Sequence, residues 1–182
     1  DFEDGIDTKW DDSNADSFST TTTYSFDGSR SLEHDTSTKA ILASTNETSG
    51  KIYQRTYWRA VSADQQYLII SAGDVSNPKS TGYLTFARNN PDFSLWNWDT
   101  SSSLATGGTY SSDTWYKIVH VHDLDSGDIE TWIYNTNGEL VTSLSEYGHT
   151  STTSGDFGLM GNSSSNISGY QWDQYAYRHS NN

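Results

Sequence analysis

The stretch that decides the fold runs from Trp115 to Leu144. It opens with Trp115-Tyr116-Lys117-Ile118-Val119-His120-Val121-His122, turns at Asp125-Ser126-Gly127-Asp128, and continues as Ile129-Glu130-Thr131-Trp132-Ile133-Tyr134. Asn137-Gly138 then leads into Glu139-Leu140-Val141-Thr142-Ser143-Leu144. Within these segments side-chain character changes at every second residue, the period of a strand that shows two different faces. Asn-Gly is a strong hairpin signal, because both residues tolerate positive φ. The stretch therefore reads as a three-strand antiparallel meander.

The same reading extends outward. Short alternating runs punctuated by Gly, Asn, Asp and Ser predict strands near 2–6, 17–26, 30–34, 51–61, 66–73, 81–88, 93–98, 115–123, 129–135, 139–145, 156–160 and 170–178. No segment shows a 3.6-residue apolar period. The tract Ser19-Thr20-Thr21-Thr22-Thr23 leads into Tyr24-Ser25-Phe26 and reads as strand with a hydroxyl-rich face, whereas Ser101-Ser102-Ser103 and Ser163-Ser164-Ser165 read as loops. Many short strands and no helix predict an all-β antiparallel jelly-roll sandwich, and 182 residues suit one domain, 1–182.

Composition sharpens this. Leu, Ile, Val and Phe together number only 30, which with a net charge of −14 would suggest disorder. Seven Trp and twelve Tyr argue otherwise, since each can bury on the order of 150–250 Å². The expected core is aromatic. The negative charge opposes nucleic-acid backbones and anionic membrane surfaces, and it favours neutral sugars over uronates unless charge is locally reversed. No apolar run is long enough for membrane insertion, and the absence of Cys excludes disulfides and thiolate chemistry. Asp outnumbers Glu 18 to 6 and Lys is only 5, the pattern of a chain that must stay hydrated in a high-salt habitat. The first residue is Asp1, which suggests a processed product or a module of a larger secreted or surface protein.

Several residues are candidates for a ligand site. Trp96 and Trp98 share one face of Phe93-Ser94-Leu95-Trp96-Asn97-Trp98, and adjacent indoles can stack on pyranose rings. His120 and His122 share a face, as do Trp132 and Tyr134 on the next strand, so the two pairs could converge on a groove. The histidine pair lacks a third ligand at the spacing zinc needs. Arg88 follows a strand at a ligand rim, and Arg55 and Arg59 sit on one face of another.

The two ends carry a resemblance. Asp1-Phe2-Glu3-Asp4-Gly5 with Trp10, Phe26-Asp27-Gly28-Ser29-Arg30-Ser31-Leu32, Trp115-Tyr116-Lys117-Ile118, Asn137-Gly138-Glu139 and Tyr170-Gln171-Trp172-Asp173 resemble motifs of jelly-roll carbohydrate-binding modules and concanavalin A-like, laminin-G-like domains. The likeness spans nearly the whole chain. It implies a structural calcium that ties the terminal strands together, with Glu3 and Asp173 at the matching positions and Asp27, Gly5 and Ser29 as further donors.

Enzymes of this architecture leave less trace. The Glu-x-Asp-x-x-Glu strand motif of jelly-roll glycosidases is absent, as are the motifs of alginate-type lyases, although Tyr134, His120 and Arg59 offer lyase chemistry in principle. The sequence thus predicts an extracellular or cell-surface module that binds polysaccharide or glycan without chemistry. A surface or filament adhesion subunit and a polysaccharide lyase or glycosidase are the alternatives.

Overall fold

A computed structural model describes residue 2 and residues 18–34, 40–62, 67–73, 82–87, 91–97, 100–148, 155–161 and 171–181. These form thirteen strands: β1 (Phe18–Thr21), β2 (Ser31–His34), β3 (Ala40–Glu47), β4 (Lys51–Arg59), β5 (Tyr67–Gly73), β6 (Gly82–Ala87), β7 (Asp92–Asn97), β8 (Ser102–Thr109), β9 (Trp115–Asp123), β10 (Ile129–Tyr134), β11 (Leu140–Glu146), β12 (Gly155–Gly161) and β13 (Gln171–Ser180). Two antiparallel sheets result. One has seven strands in the order β1-β2-β13-β4-β9-β10-β11, and the other has six in the order β3-β12-β5-β6-β7-β8.

The meander forms as expected, with β9 paired to β10 and β10 to β11. Its second turn differs in detail. Gly138 N–H donates to the Asn135 carbonyl at 3.0 Å, and the Asn135 side-chain oxygen accepts N–H groups from Asn137 and Glu139. Positive φ occurs at Gly138 (82°) and not at Asn137, so the loop is longer than a two-residue hairpin, with glycine at its left-handed position. The first turn is held by Asp123, whose carboxylate accepts N–H groups from Asp125 and Ser126.

Two strands depart from the expected set. Ser102–Thr109 pairs with β7 despite its serines and glycines, so tertiary pairing overrides a composition that reads as loop. Ala40–Glu47 pairs with β12, and its short apolar run carries too little periodicity to mark a strand. In turn, the hydroxyl-rich tract leaves the sheet after Thr21 rather than continuing to residue 26. The expected strand at 2–6 lies outside the described residues except for Phe2, which is buried in the core.

Inward-facing residues of both sheets build one core. Trp58, Tyr116, Ile118, Ile129, Ile133, Leu144 and Trp172 come from the seven-stranded sheet, and Ile69, Ile70, Phe93, Leu95 and Leu159 from the other. Aromatic rings do much of the spanning: Phe93 meets Trp58 at 6.1 Å and Tyr116 at 5.3 Å between centroids, both edge-on. The Trp172 indole N–H crosses between sheets to the Ile69 carbonyl at 3.1 Å. Along one side β8 lies against β11, where a Cβ on Gly108 would come within 2.8 Å of Thr142.

If Trp172 pins the two sheets together, Trp172→Ala should lower unfolding free energy by about 3–5 kcal/mol. Trp172→Phe, which keeps a ring but loses the bond to Ile69, should cost about 1–2 kcal/mol. Chemical denaturation of both variants checks this, and equal costs would contradict the role of the hydrogen bond.

Candidate functional site

The outer face of the seven-stranded sheet is set by strand parity. On β4, Ile52, Gln54, Thr56 and Trp58 point inward and are buried, so Lys51, Tyr53, Arg55, Tyr57 and Arg59 point outward. Register then fixes their neighbours. Arg55 faces Ala176 on β13 and Val119 on β9, and Val119 faces Trp132 on β10. Tyr57 faces Lys117, which faces Tyr134. Tyr53 faces Arg178 and Val121.

Strand β13 reaches this arrangement only through a bulge. Its register shifts between Asp173 and Ala176, and Gln174 takes φ of 48°. Asp173 faces outward, so unbroken alternation would send Tyr175 and Tyr177 outward too. The extra residue instead turns both inward, where Tyr175 O–H donates to Gln54 Oε1 and Tyr177 packs on Ile52. Ala176 and Arg178 take the outer positions. Bulges commonly re-aim side chains in this way.

Asp173 holds the bulge and the segment above it. Its Oδ1 accepts the Gln174 N–H at 2.7 Å, and its Oδ2 accepts those of Phe26 and Asp27 at 2.9 and 3.1 Å. Gln174 donates its side-chain amide to Asp27 Oδ2 at 2.6 Å. The chain between β1 and β2 is thereby strapped over one end of the outer face. Phe26 stacks on Tyr57 with centroids 3.7 Å apart and meets Trp115 edge-on at 6.1 Å. Tyr24 lies against the Arg59 guanidinium at 3.8 Å. Arg59 is itself buried and committed, donating to Gln171 Oε1 and to Asp113.

Beside this strap the face stays open. A groove of about 250 Å³ is lined by Tyr53, Arg55, Val119, Ala176 and Arg178, together with Gln54 and Tyr177. Arg178 lies 5.8 Å from the Tyr53 ring centroid and the Lys117 ammonium 5.6 Å from that of Tyr134. The face thus combines flat aromatic surfaces, guanidinium donors and a shallow depression floored by small side chains, which together suit a ligand with both apolar faces and oxygen acceptors.

The residues expected from sequence divide accordingly. Trp132 and Tyr134 lie on this face, half-buried. His120 and His122 do not: they face the interior at 0% and 3% exposure, opposite Thr131 and Ile129, so the histidine pair cannot converge with Trp132 and Tyr134. The reason is parity, because Trp132 pairs with Val119 rather than with a histidine. The combination of Tyr134, His120 and Arg59 is likewise not assembled. Trp96 is half-buried on the outer side of the other sheet, alternating with the buried Phe93 and Leu95. Trp98, Arg88, Glu3 and Gly5 lie outside the described residues. Asp173, Asp27 and Ser29 meet at the strap corner or within two residues of it. Among the described residues no three His, Cys, Asp or Glu cluster closely enough to hold a metal.

Sequence reasoning overlooked Tyr53, Lys117 and Arg178 as site residues. Tyr53 and Lys117 carried a signal in the alternation of β4 and β9, but Arg178 did not, because the bulge reverses the parity that alternation would assign.

The assembled face defines a class: a concanavalin A-like jelly-roll sandwich with an open outer sheet surface. Solved structures agree. The chain is similar to Cellulose induced protein, Cip1, with a TM-score of 0.67 at 17% identity over 98% of this chain and 95% of that one. It is also similar to the catalytic domain of a GH131 beta-glucanase from Podospora anserina, with a TM-score of 0.60 at 11% identity over 92% and 81%. A third similar structure is the carbohydrate-binding module CBM66 from Bacillus subtilis, with a TM-score of 0.54 at 14% identity over 89% and 95%. No protein-family model and no curated protein sequence matches the chain.

The interior histidines make a pH prediction. Burial, reinforced by the neighbouring His122, pushes His120 down to about 3, while burial lowers His122 to about 4 against a partly opposing Asp123. An unfolded histidine titrates near about 6.5. Between these values the unfolded chain binds protons that the folded chain does not, so stability is full above about pH 6.5 and falls as pH drops toward 4 and then 3. The loss should be on the order of a few kcal/mol. Thermal melts across this range should show it, and His120→Gln with His122→Gln should flatten the portion above about pH 5, where carboxylates contribute little. An unchanged slope in that variant would contradict the assignment.

Proposed function

We propose that this chain binds polysaccharide or glycan, without chemistry, on the outer face of its seven-stranded sheet. The observation that carries the reading is the placement of Tyr53, Trp132 and Tyr134 on the same face as an open groove flanked by Arg55 and Arg178. Sugar rings present C–H faces to aromatic planes and hydroxyls to N–H donors, and both are supplied here. The similar solved structures include a carbohydrate-binding module and a beta-glucanase domain, which supports a ligand of this class. Binding is favoured over glycoside hydrolysis because the described residues that line the groove include no carboxylate pair, and such catalysis needs two across the scissile bond. Nearby carboxylates have other work: Asp123 pairs with Lys51 at 3.1 Å and Glu33 accepts from the Gln171 amide at 2.8 Å. The setting proposed is extracellular or at the cell surface.

Trp132→Ala and Tyr53→Ala should each weaken retention on a bound polysaccharide by about tenfold, the usual cost of removing a central aromatic contact. Affinity electrophoresis with circular dichroism as the folding control reads this out, with Trp96→Ala as comparison. Loss of binding in Trp96→Ala alone would move the site to the other sheet.

A structural calcium is part of the same proposal, at the strap corner. Asp173 and Asp27 approach one another through Gln174, and their carboxylates retain acceptor capacity beyond the N–H groups they bind. Phe2 is buried in the same core cluster as Trp172, which ties the start of the chain to the strand bearing Asp173. With Glu3, the carbonyl of Gly5 and Ser29 the donors would all be oxygens, the set that calcium takes. The ion would offset the charge of these carboxylates and hold the chain ends together. Calorimetry with a chelator should lower the melting temperature, and added calcium should restore it. A transition that does not move would remove the metal from the proposal.

A further inference from the structure

Most of the described cations of this acidic chain gather on the outer face of one sheet. Net charge is −14, yet of the six lysines and arginines among the described residues five project from this one face: Lys51, Arg55, Arg59, Lys117 and Arg178. Two of them are committed, Lys51 to Asp123 and Arg59 to Asp113 and Gln171. No carboxylate among the described residues lies within ion-pair distance of Arg55, Lys117 or Arg178.

These three cations form a line. Arg55 stands between Ala176 and Val119. Arg178 lies two residues beyond Ala176 on one side, and Lys117 two residues before Val119 on the other, in opposite directions along the sheet. Each step is therefore a diagonal neighbour, roughly 7–8 Å apart. The small Ala176 and Val119 leave a depression beside Arg55, and this is the groove. Aromatic rings flank the line, Tyr53 by Arg178 and Tyr134 by Lys117. A guanidinium beside a ring keeps its fork of N–H donors available for a bidentate carboxylate.

We propose that the groove takes a carboxylated polysaccharide, with uronate carboxylates seated on Arg55 and Arg178 and the line extended by Lys117. This rests on the reading that the face binds carbohydrate. It reverses the expectation, drawn from total charge, that neutral sugars fit better, because most of the described cations gather on this face. Glu130, on the same face in the row of Tyr53 and Val121, marks one edge of the cationic strip.

Affinity electrophoresis of the intact chain tests this in gels that contain polygalacturonate, alginate or hyaluronate. Methyl-esterified pectin, a neutral β-glucan and polyphosphate serve as comparisons. At least one uronate polymer should retain the chain about tenfold more strongly than its uncharged counterparts, and Arg55→Gln with Arg178→Gln should abolish that preference with an unchanged melting curve. Retention should also weaken between about 0.05 M and about 1 M salt. Equal binding of neutral and uronate polymers, or an unaffected double variant, would overturn the carboxylate assignment and leave carbohydrate binding standing. Equal retention by polyphosphate would overturn it in favour of charge alone. No retention by any polymer would overturn both readings.

Discussion

One buried carboxylate organises the outer face. Asp173 is fully buried and receives three backbone N–H groups, one from its own strand and two from the segment between β1 and β2. A buried carboxylate must be satisfied by hydrogen bonds, and here the donors come from two distant parts of the chain. Meeting that requirement fixes two things at once. It holds Gln174 in the left-handed conformation that produces the bulge, and it straps Phe26 across Tyr57. The bulge moves Tyr175 and Tyr177 into the interior and Arg178 to the surface. Without it, β13 would present tyrosines where the groove now presents a guanidinium.

The same alternation explains why the interior is unusually polar at one end. Gln54, His120, His122 and Thr131 occupy inward positions of β4, β9 and β10, where His120 Nδ1 and Thr131 Oγ1 lie 2.8 Å apart. Aliphatic residues are scarce, so the remaining core depends on Trp58, Phe93, Tyr116 and Trp172 to span the space between the sheets. The cations show the complementary economy: they are few, and five of the six among the described residues sit on one face.

Much of this was legible in the sequence. The alternation around Trp115 to Leu144 predicted the meander and set Trp132 and Tyr134 on a common face, because period-2 patterning is a direct statement about faces, but it left the register between β9 and β10 open. The histidines misled because polarity suggests a surface position, whereas their parity with Ile118 places them in the core. Arg178 was hidden by the bulge, whose cause is Asp173 contacting residues about 146 positions away in the chain. No local pattern encodes such a contact. Ser102–Thr109 was hidden for a similar reason, since its strand character comes from β7 and not from its own residues. Asp173 itself was singled out for a metal, and it sits at an organising corner, though its visible partners are backbone N–H groups.

The most direct measurement is an NMR titration of the intact chain with an oligosaccharide cut from the polymer that retains it. Shifts should concentrate on the Trp132 indole and on the backbone amides of Tyr53, Arg55, Val119 and Arg178, while the buried indoles of Trp58 and Trp172 stay in place. Shifts gathered instead around Trp96 on β7, with the seven-stranded face silent, would contradict the assignment of that face as the carbohydrate surface.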